Sequence, residues 1–445
     1  MGLTLSKALR LSSNPCVAFV GAGGKTTALF HLARELSSPV IITATTHMGT
    51  WQTTLADQHI IANSRADIGD DRFRGVSLIT GPIGEDNRTK SLNADTLFWL
   101  RAESVKRHIP FLTEADGARQ HSIKGPMAHE PPIPDFANNV VVVAGLSVLG
   151  KPLSGDTVYH PEIFSTLTGL QINQTIKIES IIHLLCHSAG GQKNIPPTAR
   201  RTVLLNQCET LELQSAAHGM IPLLLPFYDA VIITSMKQNS IFAAHEQVAG
   251  IILAAGGSKR YGQPKQLLDW RGQPFVRVAA KTALEAGLSP VVVVTGANAE
   301  KVEVVVEDLP ITIKRNDNWQ TGQSSSIHKG VQAITEGNRK QVGAALFLLV
   351  DQPQITASVI RALLETHAKG LPPIVAPLVM MEQRGNPVLF DRITFPDLME
   401  LQGDIGGRSI FTKYPIEYLP WHDDRLLLDV DKPEDYDRLI SDSTL

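Results

Sequence analysis

Short runs of branched apolar residues alternate, in both halves of this 445-residue chain, with longer stretches whose apolar positions recur every three or four residues. Runs that are apolar on successive residues and too short for helices predict strands buried on both faces, and the stretches between them predict the covering helices. In the first half the predicted strands fall at 16–20, 39–43, 109–115, 139–145, 202–206 and 230–235. In the second they fall at 248–255, 289–296, 344–350 and 373–377. Strand and helix in alternation predict parallel sheets joined by crossover helices, so the expected fold class is α/β, built as two doubly wound three-layer domains. A last strand and a polar stretch at 235–247 precede a fresh glycine-rich strand-loop unit, which sets the domains at 1–240 and 247–445.

A hydrophobic share of 43% against 19% charged residues is that of a chain able to bury substantial cores. The net charge of −3 leaves no basic footprint, so small-molecule partners are expected and nucleic acid is not. No run approaches the roughly 20 apolar residues of a membrane span, and the opening MGLTLSKALRLSSNP lacks the apolar core of a signal peptide. A cytoplasmic protein with no membrane partner is expected. Cys16, Cys186 and Cys208 form no CxxC pair, and their apolar settings predict small buried hydrophobes.

GAGGKTT (21–27) directly follows the first strand and precedes a helical stretch. Gly21, Gly23 and Gly24 let backbone amides turn toward an anion, the helix N-terminus adds its positive end, Lys25 neutralises phosphate charge, and Thr26 is placed to ligate magnesium, with Thr27 beside it. A full Walker A loop carries glycine where this chain has Phe19, so the loop is a shortened variant. Glu114 and Asp116 stand at a strand end, with Asp116 the expected metal-side acid. Thr45, Thr46 and His47 end another strand and either face the same crevice or cap a loop. VLLNQCE (203–209) is reminiscent of the NKxD base-reading loop of GTP-binding proteins through Asn206, with Gln207 in place of lysine and Glu209 in place of aspartate.

In the second half, LAAGGSKRYGQPK (253–265) breaks from a strand into a loop rich in glycine and cations. Gly256 and Gly257 supply amides for the phosphates, while Arg260 and Lys265 supply fixed cations for the charge that develops on departing pyrophosphate. Asp351 ends a strand at the ligand edge of the sheet, and LLLDVDKPEDY offers Asp429 and Asp431. Asp351 with Asp431 is the expected Mg2+ pair. NDNWQTGQSSS (316–326) brings Ser325 either to the nucleotide or to the cap of the next helix. RGNP and GDIGGR bring Arg384, Asn386, Asp404 and Arg408, of which the arginines suit an acceptor bearing phosphate.

GAGGKTT, TATTHM, EADGARQHSIKGPMAHEPPIP and VVAGLSVLGKPL together resemble the YqeC family over roughly residues 5–240. The resemblance implies a P-loop NTPase-like domain holding ATP or GTP, either hydrolysing it or acting as a nucleotide-controlled module that delivers cofactor to an apo molybdenum hydroxylase. His129 and Glu130 belong to it, His129 equally readable as structural. LAAG, DQP, RGNPVLF, GDIGGR and DVDKPED resemble, in order, the MocA and MobA molybdenum cofactor nucleotidyltransferases over 247–445. That implies a Rossmann-like, GT-A-like transferase in which Leu253, Ala254, Ala255, Gly256 and Gly257 face the nucleotide and Arg260, Lys265 and Asp351 are catalytic. Cytidylyl-transferring members tend to read AAG where guanylyl-transferring members read AGG. Ala254-Ala255-Gly256 therefore implies CTP, with molybdopterin-molybdenum as acceptor and Mg2+ as cofactor. The alternatives are GTP with the same acceptor, or CTP with another phosphorylated acceptor.

Overall fold

The computed structural model describes residues 2–69, 73–258, 260–336 and 342–441. The chain divides into two compact units, Met1–His245 and Glu246–Leu445. Lys259, within the second phosphate loop, lies outside the described residues.

The first unit holds a nine-stranded sheet made of β1 (Cys16–Gly21), β2 (Val40–Ala44), β3 (Gln58–Ile61), β4 (Val76–Thr80), β5 (Phe111–Glu114), β6 (Asn139–Gly145), β7 (Arg200–Asn206), β8 (Ala230–Ser235) and β9 (Ser240–Glu246). Its spatial order is β9-β8-β7-β6-β1-β5-β2-β4-β3. All pairs from β8 to β3 are parallel. Cys16, Ala18 and Val20 are buried on one face while Val17 and Phe19 are buried on the other, which is why β1 reads as an unbroken apolar run. Helix Lys25–Glu35 packs on β1 and β5, and helices Pro161–Thr168, Ile178–Cys186 and Leu211–Leu224 are neighbours in the core under the β6–β8 half. The strand order reverses beside β1, so the loop after β1 opens at a switch point of the sheet, where open α/β folds bind ligands.

The second unit holds β10 (Val248–Ala254), β11 (Val291–Thr295), β12 (Thr312–Arg315), β13 (Ala344–Leu349), β14 (Ile374–Val379), β15 (Gln383–Arg384), β16 (Val388–Asp391) and β17 (Ile416–Trp421). The order is β12-β11-β10-β13-β16-β14-β15, with β17 paired to β14. Ile252 and Ala254 join a core with helices Phe275–Glu285 and Ala357–Gly370, whereas Ile251 joins a core on the opposite face with helix Gln323–Thr335. Three layers follow directly from that alternation. Ile251 and Ile252, fully buried, each contribute about 1.5–3 kcal/mol.

The sheet of this unit is mixed, which corrects the expectation of two purely parallel sheets. β16 runs antiparallel to both β13 and β14. Only a few residues separate β14, β15 and β16, too few for a crossover helix, so the chain must return antiparallel. A buried contact of 2.7 Å between His367 Nε2 and Asp391 Oδ2 fixes the far end of β16 to helix Ala357–Gly370.

The 235–247 stretch is no plain linker, since β9 extends the first sheet there. Its mixed polarity conceals it from a search for apolar runs. Cys16 and Cys208 are buried, which pushes their thiols up to about 11 and about 12, while Cys186 is only half-buried. No helix among the described residues is long and apolar enough to cross a membrane.

Gly330, on helix Gln323–Thr335, faces β10 so closely that a Cβ there would lie 2.5 Å from Ile251 Cγ2. Gly330→Leu is expected to destabilise the second unit by about 1–3 kcal/mol, read as an earlier thermal transition. An unshifted transition would show that the helix lifts off the sheet at no cost.

Candidate functional site

In a parallel sheet every strand delivers its last residue to the same edge, and in the first unit that edge gathers Gly21, Ala44, Glu114, Gly145, Asn206 and Ser235. Gly21, Gly23 and Gly24 all have positive φ, at 85°, 88° and 120°. A Cβ on Gly21 would lie 2.3 Å from Val143 O, and one on Gly23 2.5 Å from the Gly145 amide nitrogen. Glycine is required there by both backbone angle and space.

The amides are distributed differently from the expectation that the glycines all turn theirs to an anion. Gly21 N donates to Asp116 Oδ2 at 3.1 Å, Ala22 N to Val143 O at 2.9 Å and Gly23 N to His121 O at 3.0 Å. The donors left for a ligand are those of Gly24 and of the first helical turn from Lys25, where Thr26 and Thr27 lie. Lys25 is buried with its Nζ 2.8 Å from Gly21 O, and burial pulls its ammonium below the usual lysine range against the opposing pull of Glu114 and Asp116.

The two strand-end acids have separate tasks. Asp116, the acid expected on the metal side, is committed to Lys124 at 2.6 Å, and Lys124 also holds Glu130 at 2.8 Å and Gly117 O at 2.7 Å. Glu114 instead accepts from Thr26 Oγ1 at 2.7 Å, and Gln52 donates to the same hydroxyl at 2.9 Å. Burial pushes both Glu114 and Asp116 above the usual carboxylate range, and the Thr26–Glu114 pair is the one that can offer hard oxygens to Mg2+ beside phosphate. Thr45 donates to Pro132 O, Thr46 keeps a buried hydroxyl with no partner in the structure, and His47 lies against Thr89 O. His129 is exposed. Asn206 donates to Gly23 O at 2.7 Å and is buried, so it clamps the phosphate loop rather than facing solvent.

In the second unit two cavities of about 730 and about 530 Å³ share Leu253, Gln323, Leu349 and Asp404 as walls. The larger is lined by Ala255, Gly256, Gly257, Lys265, Trp319 and Asp351, among others. The smaller is lined by Asn386, Arg408, Asp429 and residues 404–407. The RGNP segment reaches this edge because it precedes an antiparallel strand, whose first residues lie where the last residues of β13 lie. Arg408 donates to Asn386 Oδ1 at 2.9 Å, while Arg384 is exposed and stacks over Phe411 and Tyr418, its guanidinium 5.7 and 5.6 Å from the ring centres. Arg408, not Arg384, is therefore the arginine on the cavity wall.

Between the cavities stands a charge cluster. Lys265 Nζ donates to Asp431 and lies 3.5 Å from Asp351, and Arg260 reaches Asp431 at 3.8 Å from a largely exposed position. The Lys265 bond holds Asp431 below its usual range, whereas burial pushes Asp351 above it. Asp429 goes up to about 6, through burial and the nearby charges of Asp351 and Asp431. Asp351 and Asp429 are raised with neighbouring carboxylates among the causes, while Asp431 is lowered by Lys265, and the three side chains together offer the hard oxygens of a donor set that fits Mg2+. Asp429 thus joins the expected pair.

Some residues here carried no signal in the sequence. Gln266, buried, donates to Ala254 O at 2.9 Å and Gly256 O at 2.6 Å, which pins the glycine loop. Gln352 donates to Asp429 at 2.6 Å. Ala254 points into the core and Ala255 lines the cavity. Ser325 is spent on Gly322 O at 2.8 Å and accepts from Asn316, while its neighbour Ser326 lines the cavity. Ser325 therefore braces the loop before the helix and makes no cap bond to a backbone amide.

A glycine loop, a lysine among carboxylates and two joined compartments at a sheet edge define a nucleotidyltransferase. The chain belongs to the MobA-like NTP transferase family, whose domain model matches residues 250–418, and to the YqeC family, whose model matches residues 17–162. It is similar to nicotine blue oxidoreductase of Paenarthrobacter nicotinovorans, 34% identical over 203 residues that cover 43% of this chain and 96% of that protein. It is also similar to YqeC of Escherichia coli (strain K12), 30% identical over 215 residues, 45% of this chain and 79% of that protein. A shorter match, 41% identical over 68 residues, joins it to a probable molybdenum cofactor guanylyltransferase of Bacillus cereus, covering 14% of this chain and 34% of that protein. The second half is a nucleotidyltransferase of the MobA type, related to molybdenum cofactor nucleotidyltransferases.

Lys124 is the one charge-neutralising partner of Asp116 and Glu130 among the described ion pairs. Lys124→Met is expected to cost about 3–5 kcal/mol, because it removes the hydrogen-bonded cation shared by two carboxylates in a buried setting. Chemical denaturation of the first unit checks this, and a loss below 1 kcal/mol would show that both acids take up protons instead.

Proposed function

We propose that the second unit is a molybdenum cofactor cytidylyltransferase. It transfers CMP from CTP to molybdopterin-molybdenum with release of pyrophosphate, and the first unit is a P-loop nucleotide-binding module serving molybdenum hydroxylase maturation. The observation that carries the reading is a pair of compartments with common walls in which Lys265 and Asp351 line one and Asp429 lines the other, with Asp431 bonded to Lys265. One compartment is walled by the phosphate loop, the other by the residues expected to hold a phosphorylated acceptor.

In this reading an oxygen of the acceptor phosphate forms a bond to the α-phosphorus of CTP. The bond from that phosphorus to the bridging oxygen breaks, and its electron pair leaves with pyrophosphate. The acceptor oxygen is already anionic, so alignment and charge stabilisation are the main tasks of the protein. Lys265 and Arg260 sit where charge builds on the departing group, and the amides of Gly256 and Gly257 face the phosphates. Arg408 and Asn386 hold the acceptor, with Asp404 between the compartments. Asp351 and Asp431, joined by Asp429, would hold Mg2+, which when bound supplies positive charge to the triphosphate. The choice of cytosine rests on Ala254-Ala255-Gly256, with Ala255 on the cavity wall.

Asp351→Ala is expected to lower pyrophosphate release with CTP and molybdopterin-molybdenum by about 10²-fold or more, with an unchanged melting profile. Undiminished turnover would sink the role given to Asp351. Faster release with GTP than with CTP would replace cytidylyl by guanylyl transfer. Absence of pyrophosphate with either triphosphate would overturn the transferase reading of the substrates.

A further inference from the structure

Beyond the phosphate loop of the first unit, the loop 206–209 is fastened to the end of β8 by four hydrogen bonds. Cys208 N donates to Thr234 O at 3.1 Å, Thr234 Oγ1 to Asn206 Oδ1 at 3.1 Å, Met236 N to Asn206 Oδ1 at 2.9 Å, and Ser235 Oγ to Glu209 Oε1 at 2.9 Å. Asn206 reaches from this loop to Gly23 O at 2.7 Å, so the loop and the phosphate loop form one rigid piece of the sheet edge. Helix Lys25–Glu35, which starts at the phosphate loop, also packs against the turn Met236–Gln238 that follows β8.

Glu209 is the member of this assembly whose chemistry is unused. Ser235, fully buried, orients its carboxylate. Glu209 is half-exposed and pairs with no cation among the described ion pairs. A carboxylate offers acceptors on both oxygens and no donor when ionised. Among the common nucleobases only guanine presents two adjacent donors, N1–H and N2–H, that match such a fork. Adenine and cytosine set a ring-nitrogen lone pair against it, and uracil flanks its single donor with carbonyls.

We infer that the first unit binds a guanine nucleotide, with its phosphates at Gly24–Thr27 and its base read by the Glu209 carboxylate that Ser235 holds in place. The inference rests on the nucleotide-binding reading of the phosphate loop and deepens it by naming the base. Asn206 is a positioning residue in this arrangement. It ties the base-reading loop to the phosphate loop so that base and phosphates are gripped at a fixed separation.

The test uses the full chain carrying Lys265→Ala, which silences the phosphate grip of the second unit, and calorimetric titration with Mg2+ and GTP, ATP, CTP or xanthosine triphosphate. GTP is expected to bind at least tenfold more tightly than ATP or CTP, and a further Lys25→Ala change is expected to remove that binding. Glu209→Gln replaces one acceptor oxygen by a donor. It is expected to weaken GTP about tenfold or more and to gain xanthosine triphosphate, whose C2 carbonyl accepts from the new amide. The gain keeps the result readable, since a misfolded variant binds neither. ATP or CTP binding as tightly as GTP, or GTP affinity unmoved by Glu209→Gln, would overturn the guanine assignment alone. No binding of any triphosphate would overturn it together with the phosphate-loop reading beneath it.

Discussion

Burial of a sheet on both faces leaves its strand ends as the only places where polar chemistry is cheap. Everything else in this protein follows from that constraint. The interior strands are mostly apolar, with threonine or serine as their occasional polar residue, so carboxylates and cations collect where the strands stop. Parallel pairing then brings those stops to one edge. In the first unit this edge carries the glycine loop, Glu114, Asp116 and Asn206. In the second it carries Ala254, Asp351 and, through the reversed direction of β16, Asn386.

The two edges treat charge differently. In the first unit the cations are turned inward: Lys25 lies on its own loop carbonyl, and Lys124 is enclosed by Asp116 and Glu130. In the second, Lys265 stands between two open compartments and Arg260 extends to solvent. Buried ion pairs cost desolvation and contribute chiefly geometry, whereas cations at a cavity wall retain attraction for an incoming anion.

Much of this was legible in the sequence, for a physical reason in each case. The interior strands announced themselves because burial on both faces demands unbroken apolar runs, and β1, β6, β8, β10 and β13 fall at the predicted places. The edge strands did not. β12 reads TIKR and β17 reads IEYLPW, and strands with one wet face or one free edge have no need of such runs. β16 was hidden by its length of four residues, and its antiparallel direction comes from a short connection that no periodicity reports. At the sites, glycine loops and strand-end acids were visible because their chemistry needs those residue types. Gln266, Gln352 and Lys124 were not, since a glutamine or lysine that fastens a loop is distinguished only by what lies opposite it.

The contact between Lys265 and Asp431 joins residues 166 positions apart. During synthesis the cation of the second site therefore emerges long before its strongest carboxylate partner, while Asp351 arrives midway. A nascent chain that has reached Asp351 carries the glycine loop and the longer of the two Lys265 contacts, without the carboxylate of Asp431. The electrostatics of the groove therefore rest on a contact of long sequence separation, and the site cannot be complete before residues 429–431 have been made.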